Sequence, residues 1–225
     1  MDVYVGTSGW AYEWNPDESL EWVSGKSGLN AIELNASFYR FPEEETVAGW
    51  ADAGSDLRWS VKVNRSVTHR HKFNEKALDV WNRFEDRYRQ MDDLIDFYLF
   101  QAPPMMSDPD RFIAFAEETD LDKRFALEVR NPDLLGDDAA CRALGEVATL
   151  VSVDSPDFQE RIFPGDRLYL RMHGRTAWYH HDYTEGELAG IRDRIRDTAP
   201  QSAYIFFNNN HAMLKNAQAM RKLFT

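Results

Sequence analysis

Cysteine is nearly absent from this chain. Cys141 is the only one in 225 residues, which excludes an internal disulfide and any cysteine-based zinc cluster, and no disulfide-linked partner is expected. The start, Met1-Asp2-Val3-Tyr4, has no basic region followed by an apolar one, and no apolar run approaches the ~20 residues that span a bilayer. Membrane association is therefore not expected, and a cytoplasmic location is. Lysine is scarce: 7 residues against 19 arginines, with 22 aspartates against 16 glutamates. An acidic, lysine-poor surface suits a high-salt source, and a GC-rich genome explains the arginine excess equally well. Familiar chemical signatures are missing too. There is no G-x-G-x-x-G, no H-E-x-x-H, no Walker loop and no kinase signature. Gly6-Thr7-Ser8-Gly9-Trp10 lacks the G-x-S-x-G spacing of a nucleophile elbow; its glycines serve a tight turn.

What remains is an ordinary globular composition, 43% hydrophobic and 28% charged. With 26 basic and 38 acidic residues the net charge is 26 − 38 = −12. That balance argues against a protein whose whole surface coats nucleic acid or an anionic membrane. Short β-branched and aromatic runs recur at regular intervals. They predict strands at 3–5, 31–34, 59–63, 97–100, 125–129, 149–153, 168–172 and 204–207. Helical punctuation or periodicity lies between most of them, as at Pro42-Glu43-Glu44-Glu45 and over 74–90, 109–118, 132–147, 184–198 and 211–223. The stretch 155–163 is too short for a full helix. Strand alternating with helix eight times implies parallel pairing, and eight such units close most economically into a compact α/β (β/α)8 TIM-type barrel. No linker or repeat divides the chain, so residues 1–225 are expected to form a single domain.

In such a barrel the chemistry sits where strands end. Side chains two apart on a strand point the same way. Polar residues fall on one parity and aliphatic ones on the other at Glu33 and Asn35, at Ser60, Lys62 and Asn64, and at Gln101. The pattern continues at Glu128 and Arg130, Ser152 and Asp154, and Arg171 and His173, while Asn208, Asn209 and Asn210 follow the eighth strand. This predicts polar side chains facing the lumen. Ionised groups in a low-dielectric cavity cost several kcal/mol each unless paired. They must form a mutually satisfied structural network, a ligand site, or both.

The loops after the strands add aromatics and charge. Trp10, Tyr12, Trp14, Phe38, Tyr39, Trp178, Tyr179 and Tyr183 stand where they either stack on a sugar or nucleobase or form the rim's own small core. Residues 57–74 contain no acid, yet they carry Arg58, Lys62, Arg65, Arg70 and Lys72, with His69 and His71 beside them. In an acidic chain such a reversal focuses an anionic ligand, unless the bases pair with acids on nearby helices.

Read together, Gly6–Trp10, Ile32–Arg40, Ser60-Val61-Lys62, Thr68-His69, Gln101–Pro104, Glu128-Val129-Arg130, Arg171–Gly174 and Phe207-Asn208-Asn209 resemble the successive signatures of the YecE-like family, domain of unknown function seventy-two. The resemblance runs in order over essentially the whole chain. Ala36 and Trp59 depart from it, where a small polar residue and Phe are usual. It implies a TIM-type barrel and supplies no reaction.

The resulting functional expectation is an enzyme that binds a small anionic ligand bearing a ring, a phosphorylated sugar or a nucleic-acid fragment. Lys62, Arg130 and Arg171 would neutralise the anion. Glu33 or Glu128, with His173 or His69, would move protons. Trp10, Tyr12 and Tyr39 would stack on the ring, with Asn35, Gln101 and Asn208 as further ligand contacts. One alternative is a hydrolase or isomerase using a divalent cation held by Glu128, Asp154 and His173, residues on consecutive strands spaced about 4.8 Å apart. Another is a non-catalytic module for single-stranded nucleic acid, using the rim aromatics and residues 65–72.

Overall fold

The computed structural model describes residues 1–159 and 161–225. Its eight strands follow one another in order around a closed parallel barrel: β1 (Asp2–Ser8), β2 (Ala31–Leu34), β3 (Arg58–Lys62), β4 (Ile95–Gln101), β5 (Phe125–Glu128), β6 (Thr149–Asp154), β7 (Arg167–Met172) and β8 (Ser202–Phe207). The helices are α1 (Leu20–Lys26), α2 (Glu44–Ala53), α3 (Glu75–Tyr88), α4 (Pro109–Thr119), α5 (Pro132–Gly136), α6 (Asp138–Val147), α7 (Glu185–Asp197) and α8 (Met213–Lys222). The fold expected from strand–helix alternation is the one observed. Two details differ. Helix α1, where Ser19 accepts from the Trp22 amide, is too short for periodicity to announce. The stretch expected as one helix over 132–147 breaks at Asp137, whose backbone is extended and whose carboxylate caps α6 at the Ala139 and Ala140 amides. Between β6 and β7 the described residues contain no helix, which helps fit the fold into a short chain.

The chain gathers into two compact units. In the first (1–33, 52–59 and 151–225), aliphatic residues on alternate strand positions, Val5, Leu168, Leu170, Met172, Ala203, Ile205 and Phe207, are buried with Leu188, Ile191 and Ile195 of α7 and Met213, Ala217 and Met220 of α8. The intervening positions carry Tyr4, Tyr204, Tyr169, Phe206 and Arg171. Tyr4 stacks on Tyr204 at 4.7 Å, and Tyr169 meets Phe206 at 5.1 Å. In the second (34–51 and 60–150), the α3 stripe Ala77, Val80, Trp81, Phe84 and Tyr88 is buried as its spacing predicts. Trp81 packs on Tyr98 and Phe100 of β4, at 4.9 and 5.1 Å. Removing such rings from water contributes about 1.5–3 kcal/mol each.

Candidate functional site

In the first unit the polar parity of β1, β2 and β7 converges on one carboxylate. Glu33 accepts from Ser8 Oγ, from Tyr169 OH at 2.7 Å, and from Arg171 Nε and Nη2 at 2.9 and 2.7 Å. Strands β2 and β7 are separated along the wall by β1 and β8, so these bonds form only if the side chains point into the interior. Burial alone would raise the Glu33 carboxyl. The Arg171 charge, with hydrogen bonds from Arg171, Ser8 and Tyr169, outweighs it and holds the group below the usual carboxylate range. A carboxylate so engaged stays ionised and fixes Arg171 in place. Tyr12 lies close enough for burial and the Glu33 charge to raise its phenol; its OH donates to Ser8 O, and its ring stacks on Trp14. Trp10 turns its ring edge-on to Trp59 at 6.1 Å. These two rim aromatics pack against neighbouring rings.

A second knot in the same unit surrounds Asp154 at the end of β6. Arg175 grips both of its oxygens, at 2.9 and 2.7 Å for the shortest contacts, and Tyr183 OH donates at 2.8 Å while accepting from the Gly174 amide. Hydrogen bonds to Asp154 raise the Arg175 pKa above its ordinary value, keeping the guanidinium charged. His173 is fully buried, its amide bonded to Asp154 O and its ring 5.2 and 5.4 Å from Trp178 and Tyr179. The Asn208 amide donates to Met172 O. Asn209 is buried and bridges His181 O and Asn216 Oδ1. Among the described residues no three His, Cys, Asp or Glu side chains are placed to hold a metal ion. The cation set expected from Glu128, Asp154 and His173 is not found as such a group, and Asp154 already serves Arg175 and Tyr183.

In the second unit the ends of β2 and β3 are tied together. Ser37 Oγ donates to Lys62 O at 2.6 Å, and Asn64 Nδ2 to Ser37 O at 2.9 Å. Asn35 opens the short turn over 36–38 that carries Phe38. The tie sets Lys62 Nζ 4.4 Å over the Phe38 ring, a contact contributing about 0.5–2 kcal/mol. His69 sits edge-on to the same ring at 5.1 Å, with its Nδ1 2.8 Å from Thr68 Oγ1. Burial, then the charges of Lys62 and Arg65, push the His69 imidazole down from its ordinary value, so it is neutral at pH 7. It belongs to a π-helical turn, Ser66–Arg70, a rare geometry frequent at functional sites. Lys72 and Phe73 follow in left-handed conformations (φ +50° and +59°), costing about 1–2 kcal/mol each. Burial of Phe73 against Phe112 and Phe115, at 5.0 and 5.3 Å, offsets that strain and anchors the loop. On β5, Glu128 pairs with Arg130 and lies in register with Gln101 of β4.

Tyr169 and Ser8 hold Glu33, and Arg175 holds Asp154; sequence reasoning passes over all three. Tyr169 shares the parity of Arg171, two positions on, and that is the one signal that singles it out.

No curated protein sequence matches the chain. Among solved structures, a DUF72 family protein of Thermotoga maritima MSB8 superposes with a TM-score of 0.81 at 23% identity, covering 100% of this chain and 99% of that one. A DUF72 family protein of Enterococcus faecalis V583 gives 0.79 at 17% identity, covering 98% and 94%. At these identities the likeness concerns the fold. The family model described as protein of unknown function DUF72 matches residues 4–225, and the chain therefore belongs to the YecE-like DUF72 family.

Proposed function

We propose that the protein is an enzyme of the cytoplasm whose ligand is small, anionic and ring-bearing, a phosphorylated sugar or a nucleic-acid fragment, taken at the Lys62–His69–Phe38 cluster. The observation that carries this reading is the crowding of basic groups around one aromatic ring: Lys62 Nζ at 4.4 Å from Phe38, His69 at 5.1 Å, and Arg65 near enough to depress His69. A local excess of positive charge in an acidic chain attracts an anion. Lys62 then neutralises the anion, and neutral His69 is poised to take or relay a proton near pH 7. Glu128, Arg130 and Gln101 supply a further acid, base and amide at the neighbouring strand ends. Glu33 and Arg171, locked on each other, serve as framework in this reading rather than as proton carriers.

Calorimetric titration with ribose 5-phosphate tests it. Lys62→Ala should weaken binding about 10- to 100-fold, the range of a charged hydrogen bond of about 1.5–3 kcal/mol, with the unfolding midpoint unchanged because the residue is only partly buried. Equal affinity of the wild type and the variant would overturn this assignment.

A further inference from the structure

Four large hydrophobic side chains among the described residues are strongly exposed: Met1, Tyr39, Met105 and Tyr179. Two of them, Tyr39 at 69% and Met105 at 73% exposure, stand on either side of the acid-free segment 57–74. Tyr39 follows β2, the cationic turn follows β3 and Met105 follows β4, three strands adjacent in the barrel order. Ring contacts tie one end to the turn, and Lys72, two residues past its end, ties the other. Tyr39 lies edge-on to Phe38 at 5.0 Å, Phe38 meets His69 at 5.1 Å, and the turn leads on to Lys72, whose Nζ reaches Met105 Sδ at 3.8 Å. Arg65, Arg70 and Lys72 on this stretch are exposed. The surface thus offers, in order, an open aromatic face, a row of cations and a soft apolar contact.

Leaving a tyrosine and a methionine in water at both ends of a cationic row has a physical rationale if the ligand is a polymer. Each repeat of a single-stranded nucleic acid presents one flat base and one negative charge. Bases stack on aromatic faces without regard to sequence, methionine adapts to irregular partners, and the phosphates meet the basic groups. A sugar phosphate or a mononucleotide has one ring and one anionic group, and it engages only the inner cluster. The row spans three strands, about 10 Å at 4.8 Å per step, beyond the reach of a single base. In a chain of net charge −12, this acid-free stretch is where a polyanion is attracted. Resting on the anion site proposed at Lys62, we infer that of the two ligand classes named there the site takes the nucleic-acid fragment, as a single-stranded segment of several nucleotides, with a base on Tyr39 and its backbone along Arg65, Arg70 and Lys72.

The experiment is fluorescence anisotropy with a 5′-labelled ten-nucleotide oligothymidylate and the matching oligouridylate, alongside calorimetry with thymidine 5′-monophosphate. At least one oligomer should bind 100-fold tighter than the monophosphate. Its affinity should fall with salt, and Arg70→Ala with Lys72→Ala should reduce the salt slope by about 1.4, from 0.7 per contacted phosphate. Tyr39→Ala should weaken the oligomer about tenfold, the low end of a lost stacking contact, while leaving the monophosphate unchanged. Lys62→Ala should weaken both. If the monophosphate binds through Lys62 but neither oligomer binds tighter, the polymer inference fails and the anion site stands. If neither class binds, both fail. An equally long polyglutamate binding as tightly as the oligomers would overturn the inference in favour of acidic peptides.

Discussion

Replacing Arg171 with methionine should cost about 3–5 kcal/mol of stability, the penalty for breaking a buried ion pair and stranding one charge. Urea unfolding reads this as a lower midpoint at constant slope. The size follows from the geometry. Both side chains are out of water, at 1% and 0% exposure, and Arg171 contributes two of the hydrogen bonds on Glu33. Ser8 and Tyr169 continue to solvate the carboxylate, but neither supplies a compensating charge. The double variant Glu33→Gln with Arg171→Met removes both charges and should be more stable than Arg171→Met alone. The pair also sets an acid limit. The folded carboxyl of Glu33 lies below its unfolded value of 4.5, so its contribution is fully present above pH 4.5 and is lost as pH falls through the folded pKa. Stability of the wild type should decline below about pH 4.5 more steeply than that of Glu33→Gln. A single Arg171→Met variant as stable as the wild type would contradict the account of this knot.

Gly6→Ala should be the most disruptive change of a small residue, at about 3 kcal/mol, the upper part of the usual overpacking range. A Cβ at Gly6 would fall 2.2 Å from Ala31 O and 2.5 Å from Ala31 C. Those are backbone atoms of the paired strand, in register with Gly6 itself, and no rotamer change can clear them. Two residues further on, Ser8 is in register with Glu33, so prising β1 from β2 also pulls the Ser8 hydroxyl away from the carboxylate. Gly25 supplies the contrast. It lies inside α1, a Cβ there meets nothing within 4 Å, and Gly25→Ala should stabilise by about 0.5–1 kcal/mol. Thermal melts of the two variants check both directions, and similar melting of Gly6→Ala and the wild type would refute the steric argument. The first glycine of the Gly6–Trp10 motif thus admits the β2 backbone.

The barrel was legible in the sequence because parallel strands and amphipathic helices carry their burial pattern in their own residues, as the Ala77–Tyr88 stripe on α3 shows. The parity of polar residues was legible for the same reason, and Glu33 with Arg171 bears it out. Partnership was not legible. Tyr169 reads as one more core aromatic, and only the closure of β7 toward β2 brings its hydroxyl to Glu33. Arg175 lies in a loop, where periodicity says nothing, yet it takes the Asp154 carboxylate that strand spacing alone would offer to a cation. The rim aromatics divide by burial: Trp10 and Tyr12 are half-buried against neighbouring rings, whereas Tyr39, edge-on to Phe38, is largely exposed. That division depends on how loops fold back, which no local pattern encodes. The basic run over 57–74 was visible as charge, while the tie that sets Lys62 over the Phe38 ring came from the Ser37 and Asn64 hydrogen bonds.

The imidazole of His69 reports on the anion site from within. Followed by proton NMR, with His69→Gln to assign the resonance, it should titrate below the ordinary histidine value of 6.5 in the free protein. Its midpoint should climb as inorganic phosphate is added, since a bound anion favours the protonated ring beside Lys62 and Arg65. A midpoint at or above 6.5 that phosphate leaves unmoved would show no negative charge settling in that crowd of bases, and the functional assignment would fall with it.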